Sequence, residues 1–240
     1  MIIHSKTDIG KQRNSNQDAF FAAELSKDVA FAVVCDGMGG ATAGNIASST
    51  AVKVISEYIM RSYRIGMDGF EAEKMLKNAI QSANLEVFDM TVKDTTLSGM
   101  GTTAVVVLIL GKSAVIAHVG DSRAYLADKK LIQLTRDHSV VQTLIESGEI
   151  TPEDAKIHPR KNVITRALGI EEEVIVDSTI VELGQNYTIL LCTDGLTNFV
   201  EQADILKTIK KKDDLIAEKL VELANLGGGG DNITVVTLSE

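Results

Sequence analysis

Only two prolines, Pro152 and Pro159, occur in this chain of 240 residues, and no Pro-rich or Ser-rich linker and no internal repeat interrupts it. The expectation is one continuous domain over 1–240. Cysteine is as scarce. Cys35 and Cys192 sit inside apolar runs without the spacing of a metal knuckle, which excludes a disulfide framework and fits a reducing compartment. Both read as small core residues. Long hydrophobic runs are missing too. The longest, AVVVLILG at 104–111, is far too short to cross a bilayer and suits a core strand, so no membrane role is expected. The first residues, MIIHSKTDIGKQR, carry a His and charges where a signal peptide needs an apolar segment, and cytoplasmic residence is the expectation. Positive charge is also short, with 24 Lys and Arg against 33 Asp and Glu and a net charge of −9. The cations are scattered apart from KTIKKKDD, read as a solvated helix end. That balance speaks against a nucleic-acid partner bound by phosphate neutralisation, and against a nuclease.

What is present is an ordinary globular composition, 45% apolar and 24% charged, in a chain long enough to bury a large core. Strand candidates are MIIHSK, VAFAVVCD, TAVVVLIL, SAVIAHVG, SRAYLAD, EVIVDSTIVEL, YTILLCT and ITVVTLS. Apolar residues recur at helical spacing in 44–62 (Ala47, Ala51, Val54, Ile55, Tyr58, Ile59) and in 70–90 (Leu76, Ala79, Ile80, Ala83, Val87, Met90). A third stripe, Ile216, Leu220, Leu223 and Ala224, marks 213–226. Strands in runs, with the two long helices together between the second and third, predict an α+β domain with helices over mostly antiparallel sheets. Residues 138–168 mix short helical pieces with loop residues, which suits a mobile flap at about 140–163.

The chemistry lies where the strands stop. FAVVCDGMGG, residues 31–40, is a strand apolar on both faces that delivers Asp36 into glycines, and TILLCTDGLTN, residues 188–198, repeats the pattern with Asp194. One Asp-Gly is a turn. Yet Asp121 follows a third apolar strand in AVIAHVGDSRAY, Asp231 precedes a fourth in LGGGGDNITVV, and Asp18 precedes an aromatic pair in RNSNQDAF. If the strands are neighbours their carboxylates converge, and ionised carboxylates at close range need a cation. An oxygen-only set with no His or Cys placed to join it points to Mg²⁺ or Mn²⁺ ahead of Ca²⁺, whose helix-loop-helix pattern is absent. The glycines would let backbone and substrate approach the ions. Arg13 offers a planar fork suited to a phosphate, or to a surface ion pair.

These residues fall into stretches, RNSNQD, VCDGMGG, GMGTTAVV, AHVGDSRAY, LTRDHS, TRALG, LCTDGL and GGGGDNITVV, that in this order resemble the metal-dependent Ser/Thr protein phosphatases of the protein phosphatase 2C family in their compact bacterial form. The resemblance covers nearly the whole chain. It implies a four-layer α/β/β/α sandwich, two mainly antiparallel sheets flanked by helix pairs, with metals in a cleft at one end. It further implies that Asp36 bridges two ions, with the Gly37 carbonyl on one of them. Asp194 and Asp231 would hold the other, and Asp18 would act through metal-bound waters. Asp121, with Asp194, would hold a third, weaker ion. Arg13 would grip the phosphate, and Gln17 and Asn232 would support the site. Implied too is direct attack of a metal-bridging hydroxide on phosphoserine or phosphothreonine. The partners would be phosphorylated proteins, among them a cognate Ser/Thr kinase that the enzyme opposes, and the simplest assembly is a monomer.

Some positions depart from the family pattern. Gln17 replaces a common Glu, which predicts altered metal affinity. Met38 stands where eukaryotic members have a proposed proton-donating His, and a thioether cannot donate. Ala41 and Asn45 replace a His and a Glu and read as changes in packing at the cleft and helix start. His118 reads as a core histidine, His138 as a cap or flap anchor. Two other functions remain open on the sequence: a regulator serving one dedicated phosphoprotein, and a non-catalytic scaffold that binds metal for stability.

Overall fold

The computed structural model describes the backbone of all 240 residues and every side chain except those at 41 and 42, so the packing expected of Ala41 lies outside the described residues. The chain opens with β1 (Ile2–Asp8), β2 (Asp18–Ser26) and β3 (Val29–Met38), followed by the long helices α1 (Gly40–Ser62) and α2 (Gly69–Lys93). Asp68 and Glu71 close a reciprocal capping box at the start of α2, satisfying two otherwise orphaned N–H groups. Next come β4 (Gly101–Thr102), β5 (Ala104–Leu110), β6 (Ser113–Val119), β7 (Arg123–Ala127) and β8 (Leu131–Gln133). Two short helices, α3 (Val140–Glu146) and α4 (Pro152–Ile157), precede β9 (Asp177–Glu182) and β10 (Thr188–Cys192). The chain finishes with α5 (Asp194–Thr197), α6 (Gln202–Ile209), α7 (Ile216–Leu226) and β11 (Ile233–Ser239).

The strands form two sheets, ordered β1-β11-β10-β7-β8 and β2-β3-β5-β6-β9, with β4 paired to the end of β3. Every ladder is antiparallel. The unbroken apolar runs follow from what lies on each face. In β3, Phe31, Val33 and Cys35 pack under α1 and α2, while Ala32 and Val34 face the other sheet. In β10, Leu190 and Cys192 pack under α6 and α7, while Ile189 and Leu191 point inward. The result is the α/β/β/α sandwich expected. Each fully buried Val, Leu, Ile or Phe is worth roughly 1.5–3 kcal/mol of transfer free energy. Three such clusters give the strands rigid ends on which repelling charges can be mounted.

Two expectations need correcting. The run EVIVDSTIVEL is a strand only at Asp177–Glu182; residues 171–176 form a loop pinned to α2 by Asn84 and Gln81, which donate to the carbonyls of Glu171, Glu172 and Val174. Conversely Asp18–Ser26, absent from the strand candidates, is the edge strand β2, its Phe20 and Phe21 half-buried on opposite faces.

Candidate metal centre

Asp18 and Asp36 are direct partners in the β2–β3 register, so two of the five carboxylates meet because two strands pair. The backbone of Asp36 is clamped from β4 and β5. Its N–H donates to Thr103 Oγ1 (2.9 Å), and its carbonyl accepts from Thr102 Oγ1 and Thr103 N, each at 2.8 Å. Thr103 Oγ1 also lies 2.7 Å from Ser122 Oγ, which ties this strand end to the turn carrying Asp121. Gly37 has no room for a side chain: a Cβ there would sit 2.0 Å from the carbonyl oxygen of Gly44 in α1. The glycine thus allows close backbone packing at a position that also lines the cavity.

Asp194 opens α5 immediately after β10, and Asn198 one turn on donates to its Oδ2 (2.9 Å). A Cβ on the next residue, Gly195, would lie 1.9 Å from the Asn232 carbonyl, so the two strand ends touch through backbone. Asp231 accepts from the Asn232 N–H (2.8 Å) and from Arg13 Nη2 (2.8 Å). Asn232 is the latch of the N-terminal loop: it accepts from Gln17 N (2.8 Å) and donates to the carbonyls of Ile9 (2.9 Å) and Ser15 (3.0 Å). Gln17 in turn donates to the Gly40 carbonyl.

These groups share one cavity of about 500 Å³ at the end of the sandwich. Asp36, Asp121, Asp194 and Asp231 line it, and so do Arg13, Gln17, Gly37 and Asn232. Asp18 stands behind that lining, its Oδ2 held by Thr193 Oγ1 (2.9 Å) and Thr234 Oγ1 (2.7 Å). Those threonines were not among the expected residues, although they lie within the stretches LCTDGL and GGGGDNITVV; Thr193 follows β10 and Thr234 belongs to β11. Arg13 pairs with a candidate ligand, Asp231, and that hydrogen bond, with the fields of Asp231, Asp36 and Asp194, outweighs burial and leaves its guanidinium more firmly charged.

The carboxylates are not at ease without a cation. Burial first, and then mutual repulsion, pushes Asp18 up to about 7, Asp121 to about 8 and Asp194 to about 6, and raises Asp36 well above the usual range. Oδ1 of Asp18 and Oδ1 of Asp194 are buried with no hydrogen-bond partner. Bare buried carboxylate oxygens cost free energy unless something positive meets them. An all-oxygen set with unpartnered buried atoms fits a hard divalent cation.

A second convergence of ligand-type groups joins His118, His138 and Asp177, with ligand atoms within 4.8 Å of one another. There the place of a cation is taken by Arg166, whose Nη1 lies 2.9 Å from His138 Nε2 and 2.8 Å from Asp177 Oδ1. Burial holds both histidines below their usual pKa, and the rings stack with centroids 4.9 Å apart. His118 faces the Arg136 carbonyl (2.8 Å), a satisfied core histidine as expected. His138 is an anchor and not a cap. Ser139 caps α3, while His138 Nδ1 accepts from Gly120 N (3.0 Å) and its carbonyl from Thr165 N (2.8 Å), at the base of the α3–α4 segment. Cys35 and Cys192 are fully buried, and burial pushes the Cys192 thiol up to about 12, as befits core residues.

The sequence matches the family model for protein phosphatase 2C over residues 10–219. It is 41% identical over 234 residues to the serine/threonine phosphatase stp of Listeria monocytogenes, covering 96% of this chain and 92% of that one. The fold superposes on serine/threonine phosphatase Stp1 from Staphylococcus aureus with a TM-score of 0.92 at 34% identity, covering 99% and 94% of the two chains. It is similar as well to the catalytic domain of the serine/threonine protein phosphatase PstP in complex with two manganese ions, with a TM-score of 0.86, 33% identity and coverage of 98% and 96%.

Proposed function

The chain belongs to the protein phosphatase 2C family and is a protein-serine/threonine phosphatase, and from this premise we propose that it hydrolyses phosphoserine and phosphothreonine with Mn²⁺ or Mg²⁺ held by the strand-end carboxylates. The observation that carries the metal assignment is the pair of buried, unpartnered oxygens on Asp18 and Asp194 in an otherwise well-bonded cluster. Asp36, Asp194, Asp231 and the Gly37 carbonyl would hold two core ions, and Asp121 with Asp194 a third, weaker one. Ions held there would supply a lowered water pKa, and with it a nucleophile for direct attack on phosphorus near neutral pH.

The remaining work falls to the chain's own residues. Arg13, half-exposed at the cavity and paired with Asp231, would turn its fork onto a phosphate oxygen. Asn232 and Gln17 hold the loop that carries Arg13. Asp18, backed by two threonine hydroxyls, keeps one oxygen without a hydrogen-bond partner and would orient water. Met38 lines the cavity and has no proton to give, so the leaving oxygen would take its proton from another source, water or the Asp121 side of the site.

The same reading has the enzyme oppose a Ser/Thr kinase in the cytoplasm as a monomer, with 1–240 as one catalytic domain and α3 and α4 as a flap. The flap assignment is supported by the stem, where Ser139 bridges Ile164, and by Asn162 and Ile164, which reach the cavity. No helix among the described residues is long and apolar enough to cross a membrane. The test is phosphate release from a phosphothreonine peptide and its phosphotyrosine counterpart with Mn²⁺, with Mg²⁺ and in EDTA. Metal-dependent release favouring phosphothreonine is expected; undiminished release in EDTA would contradict the proposal.

A further inference from the structure

Beside the catalytic cavity lies a second, of about 330 Å³, and Met38 and Ile164 line both. Its remaining apolar wall is built from Ile170, Val174 and Ile175. Ile170 and Ile175 are 45% and 72% exposed, so aliphatic surface stands open to solvent at the edge of an active site. The carboxylates of Glu171 and Glu173 are at its rim. Arg166, which also lines it, directs its Nη1 to Asp177, His138 and the Ile175 carbonyl.

This wall is held in place. Asn84, fully buried in α2, spends its side chain on it, donating from Nδ2 to the carbonyls of Glu171 (3.0 Å) and Glu172 (2.9 Å) and accepting from Gly169 N (2.9 Å). Gln81 holds the Val174 carbonyl, and the Val174 side chain is buried in the helix-side core. On the side nearest the catalytic cavity, Met38 Cε and Ile170 Cδ1 both close on Gly101, where a Cβ would lie 2.9 and 3.1 Å from them. The absence of a side chain at Gly101 is what lets these two residues form the partition. A pocket whose acidic loop is fixed by the buried Asn84 amide and by Gln81 loses little entropy when it is filled.

Given the phosphatase reading, we infer that this pocket is a subsite for the substrate chain: it takes an aliphatic side chain close in sequence to the phosphorylated residue, with a neighbouring Lys or Arg on Glu171 and Glu173. Three observations select that occupant. The pocket adjoins the catalytic cavity across a wall that includes Met38 and Ile164, so a chain with its phosphate in one is within reach of the other. Most of its lining is apolar, and aliphatic apart from Met38. Its rim is negative, in a protein of net charge −9, and complements a basic segment.

The experiment compares two phosphothreonine peptides, one flanked by Leu and Arg and one by Gly and Glu, with p-nitrophenyl phosphate, which is too small to reach the pocket. The subsite contact forms in the ground state, so it moves KM and leaves kcat alone. The wild-type protein is expected to show a KM about tenfold lower for the Leu/Arg peptide. Glu171→Lys with Glu173→Lys reverses the charge preference, an effect that shrinks at high salt. Ile175→Ser weakens the aliphatic preference by about threefold to tenfold, and neither variant changes p-nitrophenyl phosphate turnover. Equal KM for both peptides, or the same loss on p-nitrophenyl phosphate, would overturn the subsite while leaving the phosphatase intact. A change in oligomeric state in place of KM would reassign the pocket to a second copy of the chain. No wild-type turnover of p-nitrophenyl phosphate with Mn²⁺ would remove the phosphatase reading, and the subsite with it.

Discussion

Asp18 and Asp194 are each satisfied on one oxygen and bare on the other, and the difference decides what they can do. Thr193, Thr234 and Asn198 fix the carboxylates in space, and the free oxygen is the one a cation would meet. Arg13 is the residue whose role the site most directly exposes to test. A lost charge-assisted bond to phosphate costs roughly 1.5–3 kcal/mol, so Arg13→Ala should raise KM for phosphate esters about 10- to 100-fold if the contact exists in the ground state. Steady-state kinetics that showed only kcat falling would place the contact in the transition state. At Gly195 the constraint is steric. Gly195→Ala drives a Cβ into the Asn232 carbonyl, and overpacking of this kind costs roughly 1–3 kcal/mol or more. Thermal unfolding should show the loss, and an unchanged Tm would mean the two strand ends do not touch as described.

Elements explain which parts of the site could be read in advance. β3, β6, β10 and β11 are apolar on both faces because each lies between another sheet and a helix layer, and that pattern is visible in any such run. Asp36, Asp121, Asp194 and Asp231 were therefore legible as carboxylates at strand ends, and the motif order supplied their company. β2 was not legible, because Ala19, Ala22 and Ala23 dilute its alternation and its core contacts are half-buried. The eight-residue α6 and three-residue β8 were too short to show a period. The partners of Asp18 were out of reach for another reason: Thr193 and Thr234 meet it only after two sheets have stacked. The same holds for Asn84 and the loop it fixes. At this scale Asn232 is the critical latch, since one side chain satisfies three backbone groups of the N-terminal loop. Leaving such groups bare costs about 1–3 kcal/mol each. Asn232→Ala should lower Tm and raise KM together, with hydrogen exchange accelerated over residues 9–17; an unperturbed loop would contradict the latch.

At the scale of the whole molecule, the sandwich core supplies the stability against which a cluster of buried carboxylates is held. Burial and repulsion raise Asp18 to about 7, Asp121 to about 8 and Asp194 to about 6, against an ordinary value of 3.8. Between about pH 4 and pH 8 the metal-free native state therefore binds more protons than the unfolded chain, and its stability falls as pH rises through that window. A divalent cation displaces those protons, so the gain in Tm from Mn²⁺ should be larger at pH 8 than at pH 5. Equal gains at both values would mean that the carboxylates are not the site. The most direct test of the central claim is a calorimetric titration of Mn²⁺ into EDTA-stripped wild-type protein and Asp36→Asn, with phosphate release from a phosphothreonine peptide followed on the same samples. Tight Mn²⁺ binding with turnover in the wild type, and weakened binding with turnover reduced roughly 10²–10³-fold or more in a folded Asp36→Asn, is the predicted result. Undiminished binding and turnover in Asp36→Asn would contradict it.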